Sequence, residues 1–203
     1  MKPAPITAFV GINGAGKTLS AIAFAHKSGR RVLTNVPGTA FEEWASLEDL
    51  TVPGAIRDTD VIMDEAGVMF SSRNASRDGA FLALVQQLRK ENARLFWTAP
   101  AYMRADKILR EVTQMVVKCR GLASKYPDGA VWPQPRWVAN FAYEAGDHDN
   151  IGLRMKDSQK RVGMTFWRVA SQGALFDTLG RVDADAAART SGPSIAPDPR
   201  HSK

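Results

Sequence analysis

Gly11-Ile12-Asn13-Gly14-Ala15-Gly16-Lys17-Thr18 is a full match to the phosphate-binding loop pattern G-x-x-x-x-G-K-[ST]. An apolar run, Ile6 to Val10, precedes it as a strand would, and Leu19, Ile22 and Ala23 follow at helical spacing. Such a loop works through its backbone. Glycines reach conformations closed to other residues, so successive N–H groups turn inward around a phosphate. The helix that starts at the loop adds its unpaired N–H groups and positive dipole end. Gly11, Asn13, Gly14, Ala15, Gly16, Lys17, Thr18 and Leu19 are therefore the candidate nucleotide-binding residues. Lys17 is set to pair with the β- and γ-phosphates, and the Thr18 hydroxyl to ligate Mg2+. The plain alternative is a glycine-rich strand-to-helix turn without a ligand.

The 203 residues suffice for one α/β domain with a substantial core and are too few for two large ones. Cys119 is the single cysteine, so an internal disulfide is excluded and a small buried hydrophobe is expected there. The opening Met-Lys-Pro-Ala-Pro leads into a strand rather than a signal segment. No window approaches about 18 uninterrupted apolar residues. A cytoplasmic protein is expected (in the host cell if viral, or virion-associated), with any membrane role through a partner. Residues 89–125 carry nine Lys/Arg against three acids, which accounts for the whole net charge of +6. That segment is either a footprint for a polyanion such as DNA or a solvated face plus active-site arginines.

Along the chain, Arg31–Thr34 reads as a second strand, Asp60 to Glu65 as a buried third with a charged tip, Arg94–Thr98 as a fourth and Gln114–Cys119 as a fifth. Helices are predicted over 42–50, 79–92 and 106–111. Alternating β and α predicts an α/β fold with a mainly parallel five-stranded core sheet, and the phosphate loop makes a P-loop NTPase of strand order 5-1-4-3-2 the expected form. Antiparallel β additions should follow: a hairpin turn at Pro127-Asp128-Gly129, then strands over 136–143, 163–169 and 173–176. The expected organisation is a core over 1–122, a β extension of the same domain over 123–178, and a disordered tail over 179–203. Trp132, Arg136, Trp137, Phe166, Trp167 and Arg168 interleave aromatic and basic residues, which serves either stacking on single-stranded bases or sheet-face packing.

Hydrolysis needs a metal anchor and a group that orients water. Asp64, at the end of an apolar strand, is placed to hold Mg2+, and Glu65 to act as general base. No Asn-Lys-x-Asp motif of guanine specificity is present, which leaves ATP as the expected nucleotide. Thr98, at the end of the fourth strand, is either a sensor of the γ-phosphate or a threonine bonded to nearby backbone. Arg73, Arg89 and Arg110 are candidates for an arginine supplied to a neighbouring subunit's site, each also readable as a structural or nucleic-acid contact.

With the loop at 11–18, the segments Gly29-Arg30-Arg31-Val32-Leu33-Thr34-Asn35-Val36 and Val61-Ile62-Met63-Asp64-Glu65-Ala66 resemble the zonular-occludens-toxin-like (Zot-like) ATPases of filamentous phages. Phe70-Ser71-Ser72-Arg73, Leu88-Arg89-Lys90, Trp97-Thr98-Ala99 and Ala105 to Arg110 resemble the wider FtsK–HerA group, which includes viral genome-packaging ATPases. The resemblance spans about residues 6–120. It implies a homo-oligomeric, often hexameric, ring that couples ATP hydrolysis to moving double-stranded DNA or extruding a phage. Capsid or portal-vertex proteins are the implied partners, or a membrane partner if the chain drives filament assembly. Pro100 stands where these families usually have the Gln of the sensor, which favours a third reading, a nucleotide-binding switch or scaffold with little turnover. Filamentous-phage assembly ATPases normally carry a membrane span and an external domain after the ATPase part. Neither is read here, so a packaging or translocation motor is the leading expectation.

Overall fold

Strands rich in Ile, Val, Leu and Phe, each followed by a segment long enough to cross back, pair in parallel. The computed structural model describes residues 1–69, 75–122, 136–146 and 161–172. In chain order the elements are β1 (Ile6–Val10), α1 (Lys17–Ser28), β2 (Arg31–Thr34), β3 (Glu42–Glu43), β4 (Thr59–Met63), α2 (Ala66–Met69) and α3 (Ala75–Lys90). They continue with β5 (Arg94–Ala99), α4 (Lys107–Val112), β6 (Met115–Leu122), β7 (Trp137–Glu144), β8 (Arg161–Arg168) and α5 (Val169–Gln172). Among the described residues they build one eight-stranded sheet in the order β3-β2-β4-β5-β1-β6-β7-β8. The five core strands β6-β1-β5-β4-β2 stand in the predicted order 5-1-4-3-2. The partners of β1 are parallel, with Val10 level with Ala99 of β5 and Lys118 of β6. β7 and β8 then continue the sheet antiparallel.

Side chains alternate across the pleat. Phe9, Ile62, Phe96 and Val117 face α1, which presents Leu19, Ile22 and Phe24. Ala8, Val61, Leu95, Trp97 and Val116 face the other way, onto Phe81, Leu84 and Leu88 of α3 and Leu109 of α4. Three alanines of α1 (Ala21, Ala23 and Ala25) are fully buried, so the helix lies close on the strands. At the start of α4 the Asp106 carboxylate accepts from the N–H of Ile108 at 2.8 Å, a cap that contributes about 1 kcal/mol.

Residues 42–50 depart from the predicted helix. Arg31 grips Glu42 through two hydrogen bonds of 2.9 and 2.6 Å, and Trp44 N–H donates to the Thr34 carbonyl at 3.0 Å. These bonds hold the segment alongside β2 as a short parallel strand, with a single 3-10 turn at Asp49–Thr51. Trp44 and Leu47 are still buried, as their apolar character requires. The predicted helix over 79–92 begins earlier, at Ala75. The hairpin at 127–129, the strand over 173–176 and the tail over 179–203 lie outside the described residues, as do Phe70 to Arg73 and Trp132. Among the described residues no helix is long and apolar enough to cross a membrane.

Candidate functional site

The loop at 11–18 leaves the C-terminal end of β1 and closes on the first turn of α1. Ala15 N–H donates to the Ile12 carbonyl at 3.1 Å, and Ser20 N–H to the Gly16 carbonyl at 2.9 Å, so the helix ladder begins at Gly16. Two glycines are dictated by neighbours as well as by any ligand. A Cβ on Gly11 would lie 2.6 Å from the Cys119 carbonyl oxygen of β6. One on Gly16, whose φ is +81°, would lie 2.4 Å from a methyl of Val138 in β7. The antiparallel extension therefore forms the bed of the loop. Asn13 and Gly14 are exposed at its tip, Ala15 and Leu19 are buried beneath it, and the Lys17 ammonium donates to the Ile12 carbonyl at 3.3 Å.

Across the loop mouth, Asp64 follows the last residue of β4. Its Oδ1 accepts from the Thr18 hydroxyl at 2.8 Å and from the Thr98 hydroxyl at 2.6 Å. Thr98 in turn accepts from the N–H of Glu65 at 3.0 Å. One hydroxyl thus fixes both the metal-anchor candidate and the base candidate, and it is fully buried. Thr98 carries both alternatives raised for it: it bonds nearby backbone and it stands at the site. Asn35 adds a second clasp, because Asp64 N–H donates to Asn35 Oδ1 at 2.7 Å and Asn35 Nδ2 donates to the Asp64 carbonyl at 3.2 Å. Glu65 then turns the chain with φ +50°, a left-handed conformation that costs a non-glycine residue about 1 kcal/mol. Its side chain is exposed, free to meet solvent at the loop mouth.

The donor set suits Mg2+. A hydroxyl and a carboxylate oxygen sit side by side, and this hard cation takes one or two such ligands, the rest coming from water and phosphate. Among the described residues no cluster of three or more His, Cys, Asp or Glu offers an all-protein cage. Cys119, beneath the loop, is buried, and burial pushes its thiol up to about 12, so it stays protonated and inert.

Of the three arginine candidates, Arg89 and Arg110 fall among the described residues. Arg89 is exposed at the C-terminal end of α3, beside Gln86 and Lys90. From there the chain enters β5, so Arg89 lies at the sheet edge opposite the loop. Arg110 is tied back through its Nε to the Ala105 carbonyl at 3.2 Å. Arg73 lies outside the described residues. Asn35 is the residue that sequence reasoning left without a role; the Thr34-Asn35 pair was visible only as a resemblance.

Thr98→Val keeps the shape and removes the hydroxyl. We expect stability to fall by about 1–2 kcal/mol in urea melts, and ATP turnover to fall about tenfold because Asp64 and Glu65 lose their shared partner.

A phosphate loop between β1 and α1, with an acid at the tip of β4 across one intervening strand, defines the P-loop NTPase fold. No family model matches the chain, and no curated protein matches it. Among solved structures, the N-terminal domain of zonular occludens toxin from Neisseria meningitidis is similar, with a TM-score of 0.52 at 16% identity, over 86% of this chain and 100% of that one. The DNA-packaging ATPase B204 of Sulfolobus turreted icosahedral virus gives 0.46 at 11% identity, over 72% of this chain and 95% of that one. The genome-packaging NTPase B204 of Sulfolobus turreted icosahedral virus 2 with ATP-gammaS gives 0.45 at 11%, over 79% and 97%. At these identities the likeness is one of fold.

Proposed function

We propose that this chain is an ATP-hydrolysing DNA translocase that works as a homo-oligomeric ring and packages a viral genome. The observation that carries the hydrolytic part is the Thr18–Asp64–Thr98–Glu65 chain of hydrogen bonds at the loop mouth. In this reading the loop N–H groups and Lys17 hold the phosphates, while Thr18 and Asp64 hold Mg2+. Mg2+ held there by Thr18 and Asp64 would supply positive charge against the negative charge of the phosphates. Glu65 accepts a proton from the attacking water. Thr98 keeps Asp64 and Glu65 in register and ties both to β5. Arg89 or Arg110 of a neighbouring subunit is the candidate for stabilising transition-state charge. The basic residues of β6 and the resemblance to packaging ATPases support DNA as the cargo.

The test is ATP hydrolysis by the purified chain with and without double-stranded DNA. Stimulation by DNA is expected. Hydrolysis indifferent to DNA, with no DNA binding at low salt, overturns the translocase part, and tight ATP binding with background turnover points to the switch reading. A second reading, a filament-assembly ATPase with a membrane partner, is favoured by the Asn35 clasp, which gives the Thr34-Asn35 piece shared with Zot-like ATPases a job at the site. Co-purification with membranes only when that partner is present would select it.

A further inference from the structure

β6, β7 and β8 present a second surface, on the side of the sheet away from α1. Along β8, Val162, Met164, Phe166 and Arg168 are exposed, while Gly163, Thr165 and Trp167 are half-buried. Trp167 meets Phe24 of α1 edge-on at 5.2 Å, so the intervening residues point the other way. Register then sets three rows across this face: Leu122–Trp137–Arg168, Arg120–Ala139–Phe166 and Lys118–Phe141–Met164. The rows contain no acid. Trp137 is 46% and Phe166 48% exposed, large apolar rings left open to water. They are diagonal neighbours on adjacent strands, so the two residues stand about 7–8 Å apart, a spacing that suits successive bases of an extended strand. Towards the loop the face opens into a cleft of about 660 Å³, walled by Ile12, Pro100 and Met103 on one side and Arg120, Phe141 and Arg161 on the other.

We propose that this face binds single-stranded DNA, with bases stacked on Trp137 and Phe166 and phosphates paired with Arg120, Arg161 and Arg168. Aromatic platforms between cations are the recognition chemistry of single strands, whose base faces are open. In a duplex those faces are stacked on one another, and the rings have nothing to cover. A second copy of this chain docking face to face would bring like charges together, whereas a polyanion neutralises them. The proposal rests on the translocase reading only for the choice of DNA over RNA. Of the interleaved residues in the sequence, Trp137, Phe166 and Arg168 serve this surface, and Trp167 serves packing.

The test measures anisotropy of a labelled oligothymidylate of about 20 nucleotides and of a duplex of equal length, with the full chain and no nucleotide. The single strand should bind more tightly. Trp137→Ala with Phe166→Ala should weaken it about 30-fold or more while leaving ATP hydrolysis without DNA unchanged, and Trp137→Phe with Phe166→Tyr should restore most of it. Arg161→Glu with Arg168→Glu, which leaves both rings in place, should weaken single-strand binding and reduce its log–log salt slope by about 1.4. Wild-type affinity in both the alanine and the glutamate pairs overturns the proposal. So does a change in sedimentation mass with oligothymidylate affinity intact, which would make the face a subunit contact. Single-strand binding that needs the rings, together with hydrolysis that no DNA stimulates, would fail the translocase reading and leave this one standing.

Discussion

Glu65→Gln should bind ATP as the parent chain does and hydrolyse it at least 100-fold more slowly, within the range of about 10²–10⁴ for loss of a general base. The amide has nearly the same size, so little else changes. Asp64 keeps both hydroxyl partners and the Asn35 clasp, because none of those bonds uses the Glu65 side chain. The Thr98 bond reaches Glu65 through its backbone N–H and survives as well. What disappears is the exposed carboxylate that follows Asp64 in the chain, the group placed to take a proton from water. Lys17→Ala gives the contrasting result. It removes the ammonium expected on the β- and γ-phosphates, so binding and turnover fall together. Phosphate release and equilibrium binding of a fluorescent ATP analogue separate the two. Undiminished hydrolysis in Glu65→Gln would remove Glu65 from the mechanism; loss of binding there would make it a structural residue instead.

The core strands were legible because each holds a short apolar stretch between turn signals, and the loop at 11–18 marks β1 as the strand that carries the phosphate site; their order followed from the P-loop fold that the loop implies. The placement of Asp64 followed from the same logic. Other features depend on contacts between segments far apart in sequence. Glu42–Glu43 reads as helix-forming in isolation, and the backbone pairing with β2 together with the Arg31 guanidinium across the gap makes it a strand. Thr98 was legible as a polar residue at the end of β5 beside the loop, but its bonds to Asp64 and to the Glu65 N–H depend on β5 lying between β1 and β4. Asn35 bonds backbone atoms of Asp64, and no side-chain pattern announces that. Val138 against Gly16 is of the same kind, a close approach set by an antiparallel strand more than a hundred residues away. The basic stretch 89–125 also divides in space. Arg94 is consumed by Asp60, Arg89 and Lys90 sit at the far edge, and Lys118 and Arg120 join the β7–β8 face.

Asp60→Asn should lower stability by about 3 kcal/mol, the low end of the cost of breaking a buried ion pair. Asp60, second in β4, has a fully buried side chain and is gripped from three sides. Arg94, level with it on β5, donates to both oxygens at 2.7 and 2.5 Å. Arg30 Nε lies 3.1 Å away, and the Ser28 hydroxyl at the end of α1 donates at 2.7 Å. The carboxylate therefore ties the end of α1 to the start of β4 and β5. An amide has no charge and one accepting oxygen in place of two, so it cannot meet both arginines and Ser28 as the carboxylate does, and it leaves the Arg94 cation with poor access to water. Because both arginines remain partly exposed, 15% for Arg94 and 24% for Arg30, solvent softens the loss and the low end applies. For a chain of this size the midpoint of thermal unfolding should fall by about 6–12 °C. The double variant Asp60→Val with Arg94→Leu removes both members of the main pair, and most of the loss should return, since a well-packed apolar replacement is near neutral. The cluster lies at the edge of the sheet opposite the loop, so turnover per folded molecule should be unchanged in either variant. Thermal melts and ATP hydrolysis on the same samples check both statements; a single variant as stable as the parent would show that water already screens the Arg94 charge.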